Sequence, residues 1–489
     1  MNKTQMDNKF SELLNHGIIY GLSSFLHSGL GFMLIPILTA YFTTKIFGVY
    51  SIILLIGVLS NSIFYLGATS SLSRFYFDKK NESHYAMIIS NAFLISIFGV
   101  LLLNFLGLLF SDQISLILFE NLEYVNLLKL NFFAVSLTIF FNLFLLILRF
   151  QRKSIIYLTL VLFNFLLNFT VTYLLLEFYN FGLFSPILGI IIPLLLILLY
   201  LIFHFRKYFS MNINLKYFKL MMKFGIQSSI MGILIFNLEW IDRLIIKEYL
   251  DLESVGLYTF AYKVAALINV IFVLPFSFIW SPMRMEYLKE KNYNMFFSNV
   301  ISFYTIFGVL IIFISILFVE NILSFIIINK EYFEGIKVFP IIMIGLFIYG
   351  YNNLLDFGIH LSKKLYFVIF IYIIGMIINF SLNIWLIPIY GYYAAAYVTL
   401  ITYVFTSISI FIISNKYYRV VINLRNTVLP FLFLILFYFV NLNLNLNLFH
   451  KVLSLAVFVF IIYFVFINNN QRNYLINFIY YNILNYKIK

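Results

Sequence analysis

The sequence predicts an all-α integral membrane protein with about fourteen transmembrane helices. Three observations carry that prediction: the composition, the length of the apolar runs, and the side on which the charges between them fall. Of the 489 residues, 63% are hydrophobic and 10% are charged, with a mean hydropathy of +0.99. A soluble domain carries about 25% charged residues, and too little polar surface remains here to cover a water-soluble core. The solvent for most of this chain is lipid.

About 20 apolar residues cross a bilayer as a helix, and only helices or closed barrels satisfy their backbone groups there. The apolar runs are continuous rather than alternating, so they are helices and not barrel strands. They fall at 17–42, 48–73, 85–110, 126–149, 154–177, 182–205 and 224–247, and then at 256–280, 295–319, 336–361, 365–388, 391–414, 427–448 and 451–467. With the N-terminus in the cytoplasm, the inner segments collect bases such as Arg74, Lys79, Lys80, Arg149, Arg152, Lys153, Arg206, Lys207, Lys363, Lys364, Lys416 and Arg419. The outer ones collect acids: Asp112, Glu120, Glu123, Glu177, Glu248, Asp251, Glu253, Glu320, Glu331 and Glu334. This is the positive-inside rule acting on short loops. Miscounting one helix would invert the pattern beyond it, so both termini are expected in the cytoplasm.

The same signals explain the net charge of +13, and no nucleic-acid partner is expected. No cysteine occurs, which excludes disulfides and thiolate chemistry. The first apolar run is long enough to span and no A-x-A site follows it, so no cleavable signal is expected. There is no Walker motif, no G-x-G-x-x-G before a helix, no H-E-x-x-H and no Cys/His cluster. Neither a cofactor nor a metal is expected, and ATP is not the energy source within this chain.

The organisation follows from the spacing. Residues 1–205 form an N-terminal lobe of helices 1–6, and 224–415 a C-terminal lobe of helices 7–12. Between them RKYFSMNINLKYFKLMMK (206–223) reads as a basic cytoplasmic linker lying on the inner leaflet. Helices 13 and 14 occupy 427–467, and 468–489 form a cytoplasmic tail. The lobes repeat: residues 17–50 align without a gap on 225–258 at an offset of 208, matching Gly17/Gly225, Leu30/Leu238, Tyr41/Tyr249, Gly48/Gly256 and Tyr50/Tyr258. The offset spans six helices, an even number, so both copies point the same way. Parallel repeats of this kind place a substrate site between the halves.

Two segments carry a family resemblance. Residues 35–78 contain Pro36, Gly48-x-Tyr50, Leu66-Gly67 and Ser71-x-x-Arg74-Phe75; residues 223–265 contain Asp242-Arg243, then Gly256-x-Tyr258 and the basic Lys263. These resemble helices 1–2 and 7–8 of the polysaccharide (O-antigen) flippases of the multidrug/oligosaccharidyl-lipid/polysaccharide exporter superfamily. The family's proline near the start of helix 7 is missing, where Gln227 and Ser228 stand. The resemblance implies two six-helix bundles around a central cavity, with two helices appended. It also implies a non-enzymatic flippase of the bacterial plasma membrane. Its cargo would be a polyprenyl-pyrophosphate-linked oligosaccharide for O-antigen, capsule or exopolysaccharide synthesis. Membrane lipids, a polysaccharide polymerase and a chain-length regulator would be its partners. A peptidoglycan-precursor flippase and a cation-coupled multidrug exporter are the alternatives within the superfamily. A membrane-embedded polymerase would need a larger extramembrane segment than any here.

Intramembrane charges cost on the order of 2.5–3.5 kcal/mol each and persist when paired or when facing a wet cavity. FNLEWIDRLII (236–246) places Glu239 and Arg243 four residues apart on one helix face, with Asp242 beside them. Asp242 in helix 7 and Lys263 in helix 8 lie at matching depth, roughly 10 Å from the outer surface. They are expected either to pair across the two helices or to line the cavity. His27 in helix 1 is a further cavity or packing residue, and Arg74 is an anchor or a contact for the cargo's phosphates at the entrance. Asp356 and His360, one turn apart near the inner end of helix 10, form a helix-end pair, a gate or a coupling site.

Overall fold

The computed structural model describes residues 29, 31–79, 81–206, 214–286, 293–442 and 447–466, and all regular structure among them is helical. The amino-terminal half comprises α1 (Gly31–Tyr41), α2 (Thr44–Phe64), α3 (Ala68–Phe75), α4 (Glu82–Phe119), α5 (Val125–Phe150), α6 (Ser154–Glu177) and α7 (Phe184–Phe205). The carboxy-terminal half comprises α8 (Leu215–Tyr249), α9 (Leu252–Ala265), α10 (Leu274–Glu286), α11 (Tyr293–Ile326), α12 (Phe339–Gly350), α13 (Asn352–Leu355), α14 (Phe357–Leu361), α15 (Tyr366–Tyr390) and α16 (Tyr392–Tyr417). Finally, α17 (Leu424–Leu442) and α18 (Leu448–Ile461) pack on α11, where Phe313 stacks on Phe458 at 4.0 Å and meets Phe437 edge-on at 5.5 Å.

Eleven helices among the described residues are long and apolar enough to cross a membrane. Fourteen spans would require three more: α1, which is described only from Gly31; α17, whose apolar part is short; and α8, which carries the charged stretch. Side chains such as Phe105, Leu108, Leu199 and Phe203 are exposed along these helices. In water that much apolar surface would drive association; here it is the lipid-facing side of a multi-pass membrane protein.

Several boundaries differ from the sequence reading for local reasons. Helix 2 is interrupted because Leu66 and Gly67 take positive φ values of 47° and 63°, a left-handed turn that ends α2 and starts α3. The reading of 206–223 as a linker is corrected at its second half. Asn214 caps a helix there by accepting from the N–H groups of Lys216 and Tyr217, and that helix runs unbroken through Tyr249. Residues 207–213 lie outside the described residues. Helix 8 is interrupted: a wide π turn at Asn269–Val273 separates α9 from α10, with Pro275 just beyond. Helix 10 opens with a 3₁₀ segment, Lys330–Val338, and then breaks into α12, α13 and α14.

The two halves form separate bundles. Helices α2 and α4–α7 pack among themselves, as do α8, α9, α12, α15 and α16. They meet mainly through α2, against α9 near the acid-bearing end of the molecule and against α8 towards the basic end. At the α2–α9 crossing the repeat is visible in atoms. A side chain at Gly48 would strike the carbonyl of Leu252, and one at Gly256 would strike the carbonyl of Thr44. Thr44 and Leu252 are themselves separated by the repeat offset of 208, so the contact is symmetric. Glycine at both positions is what lets the two backbones touch.

Candidate functional site

The charged stretch of α8 resolves into two environments. Asp242 and Arg243 are both buried, 2% and 1% exposed, and form an ion pair of 2.7 Å. Tyr258 of α9 donates its hydroxyl to the second carboxylate oxygen of Asp242 at 2.5 Å. The guanidinium also donates to the backbone carbonyl of Glu239 and lies over the rings of Trp240, Tyr258 and Tyr262, at 4.7, 5.3 and 4.1 Å. Cation–π contacts of this kind gain strength where water is excluded. The result is a charged knot tying α8 to α9 inside the carboxy-terminal bundle.

Two sequence expectations change here. Arg243 donates to the backbone carbonyl of Glu239, and the carboxylate it pairs with is that of the adjacent Asp242. Lys263 does not take Asp242, whose two oxygens already serve Arg243 and Tyr258. Its ammonium sits over the rings of Phe47 and Tyr50, at 5.1 and 5.2 Å, both on α2 of the opposite bundle. Lys263 is thus a cation at the junction of the bundles.

Glu239 is half-buried and interacts electrostatically with the phenols of Tyr262, Tyr349, Tyr372 and Tyr403, contributed by α9, α12, α15 and α16. These tyrosines all belong to its own bundle. Arg74 is exposed at the end of α3 and pairs with Asp78 at 3.2 Å. Asp356 and His360 do come together, at 2.9 Å, and Arg284 of α10 joins them at 2.8 Å from Asp356. His27 lies outside the described residues. Among the described residues no group of three His, Cys, Asp or Glu is placed to hold a metal.

The bundles touch at both ends. Towards the acidic end lie the Gly48–Gly256 crossing, Lys263 on its two rings, and Lys247 of α8 at 3.7 Å from Glu120 at the end of α4. Towards the basic end, Ser228 of α8 donates to Ser70 of α3 at 2.7 Å and lies 3.1 Å from the hydroxyl of Tyr65. Ser71 donates to the carbonyl of Met221 at 2.7 Å, and Gly67 packs against Gly225. Ser71 and Ser228 enter the sequence reading only as positions of the family pattern, and Ser70 and Tyr65 not at all. A serine in an apolar helix gives no periodic signal, and most such hydroxyls bond to their own backbone, as Ser51 does to Phe47.

The comparisons with known proteins agree with this architecture. A family described as "Polysaccharide biosynthesis protein" matches residues 13–288. Among solved structures, a lipid II flippase, MurJ, in an inward closed conformation superposes with a TM-score of 0.72 at 18% identity. The match covers 91% of this chain and 99% of that one. An inward-facing multidrug resistance MATE transporter of the MOP superfamily gives 0.65 at 12% identity, covering 80% and 94%. A MATE transporter in a straight conformation gives 0.56 at 12%, covering 83% and 95%. No curated protein matches the chain in sequence.

Proposed function

Because the chain belongs to the polysaccharide biosynthesis protein family, we propose that it is a flippase for lipid-linked oligosaccharide repeat units of a surface polysaccharide (O-antigen, capsule or exopolysaccharide). The family match over residues 13–288 carries this reading, on a fold shared with transporters and flippases. Two parallel bundles that meet at both ends can part at one end at a time. The head group then passes between them while the lipid tail stays in the bilayer. Lys263, held on α2 by the rings of Phe47 and Tyr50, is a cation that such a parting would bare to a pyrophosphate. Arg74 at the exposed end of α3 is suited to a first contact with the same group. Asp356, His360 and Arg284 bridge α10 to the broken helix α12–α14, and this is where a gate or coupling step of the carboxy-terminal bundle would act.

Deleting the protein from its host should leave lipid-linked repeat units accumulating on the cytoplasmic leaflet, measured by mass spectrometry of extracted lipids, and should stop their appearance outside. A deletion strain with normal surface polysaccharide and no accumulated precursor would remove this reading. A peptidoglycan-precursor flippase is the second reading, favoured by the near-complete superposition on MurJ. Rescue of cells depleted of their own lipid II flippase would select it.

Orientation is proposed from the charge alternation: basic end in the cytoplasm of a bacterial plasma membrane, acidic end outside. The chain has no cysteine, so single cysteines can report it. Positions 121 and 331, both exposed, should label with an impermeant reagent from outside, and position 417 should not. Tyr332 is fully buried, which makes its neighbour Glu331 the informative site. Labelling only at 417 would invert the assignment.

A further inference from the structure

We propose that Tyr332 is a latch that holds the acidic-end gate closed, acting on the gate and not on the cargo. Tyr332 lies in the 3₁₀ segment Lys330–Val338 of the carboxy-terminal bundle and is wholly buried. Its hydroxyl crosses to the other bundle and donates to the carbonyls of Phe42 and Thr43, at 2.9 and 3.1 Å. These carbonyls stand just past the end of α1, at the turn into α2, where the Thr43 carbonyl also accepts from the Phe47 N–H at 2.9 Å. The ring is held from both sides of the gate: edge-on to Phe47 of α2 at 5.6 Å, and 5.1 Å from Phe260 of α9.

The segment is fastened to its own bundle. Gly335 packs on the backbone of Leu257, and the Tyr392 hydroxyl donates to the Glu334 carbonyl at 3.5 Å. Tyr332 must therefore leave with the carboxy-terminal bundle when the bundles separate. At a membrane surface the vacated carbonyls can be taken over by water, so the bond biases the closed state without making it permanent. The ring of Phe47 also carries Lys263, so release of the latch and exposure of that lysine occur at one aromatic side chain.

The inference rests on the reading of the chain as an alternating-access transporter, but its test needs no cargo. Thr259 is 2% exposed and its hydroxyl has no partner among the described residues. It lies one turn from Gly256 on the α9 side that meets α2, so Thr259→Cys reports opening of this gate with little disturbance. Tyr332→Phe keeps both ring contacts and removes only the donor. Labelling of T259C from the acidic side should rise roughly two- to tenfold in Y332F. Labelling of S70C from the basic side, in inverted vesicles, should fall in the same background. Tyr332→Leu, which also loses the ring contacts, should go further in the same direction. A general loosening would raise labelling at both ends and would overturn the proposal. So would unchanged labelling at position 259 in both variants.

Discussion

Replacing Ser70 and Ser228 with cysteine is expected to stop transport under oxidising conditions and to release it on reduction. The two hydroxyl oxygens are 2.7 Å apart and belong to different bundles. Serine-to-cysteine changes a single atom, and side chains already in hydroxyl contact need little movement to reach the Cβ separation of about 3.5–4.5 Å that a disulfide requires. With no native cysteine in the chain, the engineered pair has no competing partner. Once formed, the bond replaces a hydrogen bond that can open with one that cannot, and the basic end stays shut. Flipping in proteoliposomes should fall to the level of protein-free vesicles, recover with reductant, and remain near wild type in each single variant. Full transport by quantitatively cross-linked protein would mean that the cargo does not pass between these bundles. The same experiment separates this gate from the latch at Tyr332, because T259C should remain open to labelling in the locked protein.

What the sequence disclosed depended on how far apart the interacting residues lie along the chain. The apolar runs are local, and they read directly as membrane helices. The matching of Gly48 with Gly256 was also legible, since an ungapped repeat marks positions rather than contacts. The structure adds that these matched glycines touch each other, through carbonyls that obey the same offset. The partners of the charged groups were less accessible. Asp242 binds a tyrosine sixteen residues on, across a helix turn-around, and Lys263 rests on rings of the other bundle. Equal depth in the membrane left Asp242 and Lys263 either to pair or to line the cavity, because depth is one coordinate of three. The adjacent Arg243 and the hydroxyl of Tyr258 occupy the carboxylate first. The resemblance had grouped Asp242-Arg243, Gly256 and Tyr258 as separate motif letters. In space they are one unit, in which Gly256 brings α9 against α2 and Tyr258 ties α9 to α8. In the amino-terminal copy the equivalent Tyr50 supplies a ring for Lys263, so the repeat keeps its backbone contact while its two tyrosines have diverged in chemistry.

That unit sets the largest stability effect. Asp242→Ala strands the Arg243 guanidinium in a site 1% exposed, with a backbone carbonyl and aromatic faces but without its ion-pair contact. Removing one member of a buried ion pair costs about 3–5 kcal/mol, enough to deplete the protein from the membrane or to lower its melting temperature sharply in detergent. Replacing the whole knot should behave differently. In Asp242→Leu/Arg243→Met/Tyr258→Phe neither member of the ion pair is left without the other, and no Tyr258 hydroxyl remains to need an acceptor. Substituting well-packed apolar groups for a buried pair is often neutral or stabilising, so the triple variant should fold. Because the knot is sealed within one bundle, the triple variant should also keep flipping activity. Lys263→Met should fold but lose activity, since it removes the cation at the bundle junction. A folded triple variant with no transport would instead place Asp242 and Arg243 in the path of the cargo, and an active Lys263→Met would take Lys263 out of it.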